Sequence, residues 1–179
     1  MARQIKKTTV AAHLLGAVAA LTALQVHATD GTITFTGSIQ ATTCTVDTTS
    51  SELTVPLPAV QPSAFKNAGD TAGTSLIKIN LSNCTGEGTV LAGFESGATV
   101  DTTTGRLKNT ATTGATGVQI QLLNKDFSAI SIGDSATYKG EALSGSTTTL
   151  SYYAQYYATS NAVTAGNVQS SVTYSLAYE

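Results

Sequence analysis

The chain has no tryptophan, one methionine, two cysteines and two histidines, and only 11% of its 179 residues are charged. Each scarcity removes a class of function. Both histidines, His13 and His27, fall in an N-terminal stretch that reads as a removable leader, so the remainder has no imidazole for a triad, a general base or a metal site. Nine Lys and Arg include three in that leader, leaving six against eleven acids and a net charge of −5 for the processed chain. Such a surface offers nothing to nucleic acid or to anionic lipid. The apolar run from Val10 to Leu24, broken by His13 and Gly16, is shorter than the roughly 20 residues of a membrane-spanning helix. Glycine is plentiful, but no glycine cluster follows a strand and opens a helix, which excludes a phosphate cradle. The acids are scattered singly in turn-like settings such as Gly69-Asp70, Gly133-Asp134 and Gly140-Glu141. No enzyme activity, cofactor or metal is expected; a carboxylate pair drawn from distant positions is the one catalytic reading left.

What is present begins with Arg3, Lys6 and Lys7 ahead of the apolar run, which ends in Val26-His27-Ala28. Charged, apolar, then small is the order of a secretory signal peptide, with cleavage expected after Ala28. The 151 residues that follow have the size of one domain. Export carries Cys44 and Cys84 into an oxidising compartment, where an even pair is expected to bridge. Closing a loop of that length would constrain the unfolded chain by roughly 4 kcal/mol in the entropic account. Two unpaired buried thiols are the alternative.

Beyond the leader, apolar residues recur at every second position in short segments separated by Gly, Thr, Ser, Asn and Asp, the signature of half-buried strands. Ile33, Phe35 and Ile39 share a parity, as do Leu53, Val55 and Leu57, then Ile77, Ile79 and Leu81. Val118, Ile120 and Leu122 alternate with Gln119 and Gln121, and Val168, Val172, Tyr174, Leu176 and Tyr178 all fall on even positions. Pro56, Pro58 and Pro62 suit an edge or a strand exit, because they lack the N–H of a central ladder. Residues 101–117, mostly Thr, Ala, Gly and Asn, read as a surface connection with room for a short hairpin. In the run Tyr152-Tyr153-Ala154-Gln155-Tyr156-Tyr157, strand alternation puts Tyr152 and Tyr156 on one face and Tyr153 and Tyr157 on the other. One aromatic face is expected to pack inward and the other to make subunit contacts. A sugar-binding platform is the competing reading. The fold class is all-β, a sandwich.

The segment after the leader is unusual. Gly31, Ile33, Phe35, Gly37 and Ile39 lie on one face, and Thr32, Thr34, Thr36 and Ser38 on the other. The alternation runs on toward Cys44 and Val46 with no turn to fold it back. It is either a first strand of its own sheet or a strand offered to another molecule.

The Ile33-Thr34-Phe35-Thr36-Gly37 arm, Cys44, the Ile77-Lys78-Ile79-Asn80-Leu81-Ser82-Asn83-Cys84 strand and the Gly105-Arg106-Leu107-Lys108-Asn109 segment together resemble the pilins of the chaperone-usher pathway, the type 1 fimbrial subunit family. Gly117-Val118-Gln119-Ile120-Gln121-Leu122, Tyr156-Tyr157-Ala158-Thr159, Val163-Thr164-Ala165-Gly166 and the penultimate Tyr178 continue the likeness. Gly166 stands fourteenth from the end, as a glycine does in that family.

That resemblance implies an incomplete immunoglobulin-like sandwich that lacks its last strand and is completed by a donor strand from a neighbouring subunit. Residues 1–28 would be the signal peptide, 29–43 the donor arm and 44–179 the pilin domain. Gly31, Ile33, Phe35, Gly37 and Ile39 would form the donor face. Gly166, Val172, Tyr174, Leu176 and Tyr178 would meet the chaperone first and the incoming arm later. The expected partners are identical or related pilin subunits, a periplasmic chaperone and an outer-membrane usher, with host-surface contact made through the assembled fibre. The expected location is a cell-surface fimbrium reached through the periplasm. The role is a structural subunit of the shaft, since a tip adhesin of this family resembles two domains and an anchor needs no donating arm. A monomeric secreted module that binds a glycan or host protein through its tyrosines is the alternative.

Overall fold

A computed structural model describes residues 31–37, 39, 43–51 and 53–179. The expected leader, residues 1–28, lies outside them. The chain divides into two units, Met1–Ser38 and Ile39–Glu179. In the first, residues 31–37 carry no helix or ladder and are exposed. Among the described residues no helix is long and apolar enough to cross a membrane.

The second unit is a sandwich of two antiparallel sheets. Its strands are β1 (Thr43–Val46), β2 (Thr71–Thr85), β3 (Thr89–Phe94), β4 (Val100–Asp101), β5 (Arg106–Lys108), β6 (Val118–Leu123), β7 (Glu141–Ala142), β8 (Thr148–Ala158) and β9 (Tyr174–Tyr178). A single helical turn, α1 (Thr48–Ser51), follows β1. One sheet has the order β1-β2-β8-β6-β5-β4 and the other β7-β3-β9. The core between them is made by the alternation anticipated above: Ile77, Ile79 and Leu81 of β2, Ile120 and Leu122 of β6, and Leu150, Tyr152 and Ala154 of β8 meet Val90, Ala92 and Phe94 of β3. The expected hairpin within residues 101–117 is β4–β5, and its Leu107 is buried. Gly73 sits where β2 breaks register against β8 at φ +67, and a Cβ there would lie 2.8 Å from the Tyr156 ring.

Residues 53–57 depart from the sequence reading. Their alternation survives, with Val55 and Leu57 half-buried and Leu53 exposed, but they join no ladder. Pro56 and Pro58 cannot donate; one tie runs from the Ser75 hydroxyl to the Pro56 carbonyl, at 2.6 Å. Cys44 and Cys84 form a disulfide between β1 and β2.

Two tyrosines finish the edge of β3 where β7 is too short. β7 pairs only with Thr89 and Val90. Beyond it, the Ala92 N–H donates to the Tyr152 hydroxyl at 2.9 Å, which in turn donates to the Lys139 carbonyl, while the Tyr138 hydroxyl donates to the Phe94 carbonyl at 2.8 Å. Phe94 packs edge-on against both rings. Burial pushes the Tyr152 hydroxyl above its ordinary pKa near 10. The protonated form is therefore the one the fold favours, and its contribution is intact below pH 10 and fades as pH rises past that point. Tyr152→Phe leaves the Ala92 N–H unpaired and should lower stability by about 1–3 kcal/mol. A denaturant midpoint at pH 7 should drop, and the alkaline loss of stability above pH 10 should become shallower than in the parent chain.

Candidate functional site: an open strand edge

Among the described residues, the third strand of the smaller sheet, β9, has one neighbouring strand, β3. Thr89 and Glu179 exchange both backbone hydrogen bonds, which fixes the phase of the β3–β9 ladder. Odd residues of β9 turn their N–H and C=O toward β3; Tyr174, Leu176 and Tyr178 turn theirs the other way. The phase extends upstream, because the carbonyls of Gln169, Ser171 and Thr173 accept from the Thr110 N–H, the Thr99 hydroxyl and the Glu95 N–H. Every second residue of this stretch thus presents its backbone to a side on which the sheet order places no strand.

That side is a groove of about 710 Å³. Its floor is the core itself, Ile77, Ile79, Phe94, Leu107, Ile120, Leu122 and Ala154, and its banks are residues 53–57 and residues 170–176. Val172, Tyr174 and Leu176 are half-buried, each with its side chain on the core face of its bank. A smaller hollow of about 280 Å³ continues past Leu57, between Ala59, Val60 and Phe65 on one bank and Val163–Val168 on the other.

Local chemistry fixes the β9 bank. The Tyr174 hydroxyl donates to the Ser50 carbonyl at 2.7 Å, and the Tyr178 hydroxyl accepts from the Cys44 N–H at 2.8 Å, so β9 holds the β1–α1 segment by its side chains. Burial raises the Tyr174 pKa above its usual value. Asn109 organises the upstream part. Its amide donates to the carbonyls of Ala115 and Asn167, and its oxygen accepts from the Gln169 N–H. Gly166 is required by proximity, as a Cβ there would stand 2.5 Å from the Ala115 nitrogen. The Ser170 hydroxyl is buried on the groove bank without a partner.

Val172, Tyr174 and Leu176 therefore line the groove, Gly166 lines the adjoining hollow, and Tyr178 ties β9 to Cys44. Ile33, Phe35 and Ile39 are 79%, 89% and 104% exposed, and nothing lies within 4 Å of where a Cβ would stand on Gly31 or Gly37. Sequence reasoning missed Asn109, Ser170 and the bank at residues 53–57 as parts of one feature. The prolines were the available signal, since they mark a segment that stays extended without a ladder.

The sequence profile of the family described as type-1 fimbrial protein, A (FimA), matches residues 57–179. The chain belongs to this family. It is 43% identical to the F17 fimbrial protein of Escherichia coli over 93% of this chain and 97% of that one. It is 40% identical to the major fimbrial subunit SMF-1 of Stenotrophomonas maltophilia over 87% and 96%. Among solved structures, an antigen and type I fimbria protein of Burkholderia pseudomallei aligns with a TM-score of 0.57 at 32% identity, covering 75% of this chain and 88% of that one. The P pilus rod subunit PapA shares the fold, with a TM-score of 0.59 at 22% identity over 76% and 99%. The protein is thus a structural fimbrial subunit of the cell surface, assembling with other pilin subunits, and its family is not a class of enzymes.

Tyr174→Phe and Tyr178→Phe each remove one hydrogen bond that holds β1–α1 against β9. Each should lower stability of the subunit by about 1 kcal/mol, and the Phe substitutions should speed amide exchange at Cys44 and through residues 48–50.

Proposed function

We propose that this fimbrial subunit polymerises head to tail by donor-strand exchange, residues 29–43 of one copy filling the groove of the next. The observation that carries the reading is the free edge of β9 above an uncharged apolar floor. It offers alternate backbone groups and a row of half-buried side chains, which is what an added strand needs. The arm supplies the complement, an apolar face of Ile33, Phe35 and Ile39 that is exposed in this chain. Burying those three side chains contributes on the order of 5–9 kcal/mol, before the ladder and the ordering of the arm are counted. Gly31 and Gly37 share that face and suit shallow parts of the groove.

Residues 1–28 act as the signal peptide and direct the chain to the periplasm, where the Cys44–Cys84 bridge forms. Residues 44–179 are the pilin domain. Until a neighbour arrives, the groove needs cover, because an unpaired edge over apolar surface invites aggregation. A periplasmic chaperone supplies a temporary strand along Gly166, Val172, Tyr174, Leu176 and Tyr178, and an outer-membrane usher hands the subunit to the growing fibre. Repetition of a heterologous contact that does not close gives a filament. The subunit belongs to the shaft. A monomeric binding module would need a completed sandwich, and the open edge of β9 counts against it.

Phe35→Asp should leave export and chaperone binding intact and abolish incorporation into fibres, measured as sheared surface fibre per cell. A chain lacking residues 29–43 should be unstable until a peptide of that sequence is added. Normal fibre yield from Phe35→Asp, or a truncated chain that is stable and ignores the peptide, would overturn the assignment.

A further inference from the structure

Away from the groove, two large apolar side chains of the sandwich stand exposed together. Leu76 and Phe127 are 44% and 59% exposed. Both adjoin Tyr153: Leu76 is its cross-strand partner, and the Phe127 ring stacks on it with centroids 4.4 Å apart and planes 20° from parallel. Tyr153 is on the outward-facing side of the tyrosine run, opposite the buried Tyr152.

Phe127 occupies a position that its own turn would give to glycine. The Phe127 N–H donates to the Asn124 carbonyl, and the Asn124 N–H to the Ser128 carbonyl, which makes residues 125–127 a three-residue loop. The last residue of such a loop takes the left-handed conformation and is ordinarily glycine. Phe127 adopts it at φ +64, although a bulky side chain is disfavoured there. The surroundings hold it in place. Asn124, 1% exposed, donates to the carbonyls of Ser128 and Thr137, and the Asp126 carboxylate accepts from the Ser128 N–H and hydroxyl and from Lys139. A strained, over-determined residue whose ring faces solvent is a feature of sites that act on something.

We infer that this ledge is a saccharide subsite on the flank of the fibre, taking a pyranose. Its size argues against a protein partner. At 150–250 Å² per large side chain, the ledge exposes on the order of 250 Å², whereas a stable protein interface takes about 800 Å² from each side. One or two sugar rings match it. The C–H face of a pyranose suits the electron-rich face of an aromatic ring, and its hydroxyls suit amides. Gln155, two residues along the same face, lies in an uncharged row in which Thr74 donates to it and it donates to Gln121. The lysines near the turn pair with acids, Lys139 with Asp126 and Lys125 with Glu141, while Lys78 stands exposed two residues from Leu76 on the same face and Arg106 stacks over Tyr157. This inference rests on the fibre reading for its strength, since a weak site repeated in every subunit gains by multivalency.

The test uses purified fibres and polymer-linked lactose, chitobiose and mannobiose, with fibre yield and heat stability recorded separately. Parent fibres should retain at least one conjugate and saturate near one disaccharide per subunit. Phe127→Gly relieves the turn, so its fibres should form in equal yield and retain about tenfold less or weaker still, while Phe127→Tyr should stay close to the parent. Leu76→Ser should weaken retention independently. No retention by parent fibres, saturation far below one per subunit, or undiminished retention by Phe127→Gly overturns the inference and leaves the strand-exchange reading standing. Loss of fibres with Phe127→Gly would make the ledge a contact between copies and overturn it too.

Discussion

Among the described residues the backbone of β9 has a partner strand on one side only, and much of the structure is arranged around that deficit. A strand with one neighbour leaves alternate N–H and C=O groups unpaired, and here they border the core instead of open water. Closing the groove from inside would need another strand between β9 and residues 53–57. Residues 53–57 run extended with the Pro56 carbonyl turned toward the Ser75 hydroxyl of β2, a side on which Pro56 has no N–H to donate. Tyrosine hydroxyls tie β9 to the β1–α1 segment and Asn109 holds the chain upstream of β9, so that bank is fixed without the space beside it being filled.

A groove that must stay open needs a frame that does not collapse into it. The six-stranded sheet provides most of the frame. β2 runs 15 residues and β8 runs 11, and they pair along much of their length with Ile79, Leu81 and Leu150 at 1% exposure or less. The disulfide fastens β1 to β2. β7 is two residues long, and Tyr152 and Tyr138 replace the hydrogen bonds it does not reach.

Alternation made much of this legible in the sequence. The inward faces of β2, β6, β8 and β9 follow directly from residues such as Ile77, Ile79 and Leu81, because a period of two leaves only one burial choice per strand. The same logic separated Tyr152 from Tyr153. The pairing of strands was less readable. Nothing local tells that Tyr174 reaches the Ser50 carbonyl or that Asn109 binds a segment 58 residues away, since such contacts depend on which loops meet after folding. Residues 53–57 carry the pattern of a strand yet lack its ladder. Pattern reports which face is apolar, and only a neighbour makes a strand. Phe127 was not readable at all: an aromatic at a glycine-type turn position follows no propensity, and departures of this kind concentrate where a chain does something besides fold.

Charge has almost no part in the site. Of the residues that line the groove, Tyr174 alone can titrate, and burial moves it further from neutrality. The apolar face of the arm is uncharged as well. Among the described residues the acids sit in turns or on strand ends, and hydrogen bonding holds Asp101 and Asp126 below the ordinary carboxylate range, with the Gln119 amide foremost at Asp101 and Lys139 at Asp126. Salt screens exposed charges but does little to apolar burial or to a ladder closed off from water. A strand of the kind proposed for this groove would therefore keep its affinity across ionic strengths and from mildly acidic to mildly alkaline pH. The groove beside β9 is thus a feature that salt and pH outside a cell change little, a condition that a surface fibre has to meet.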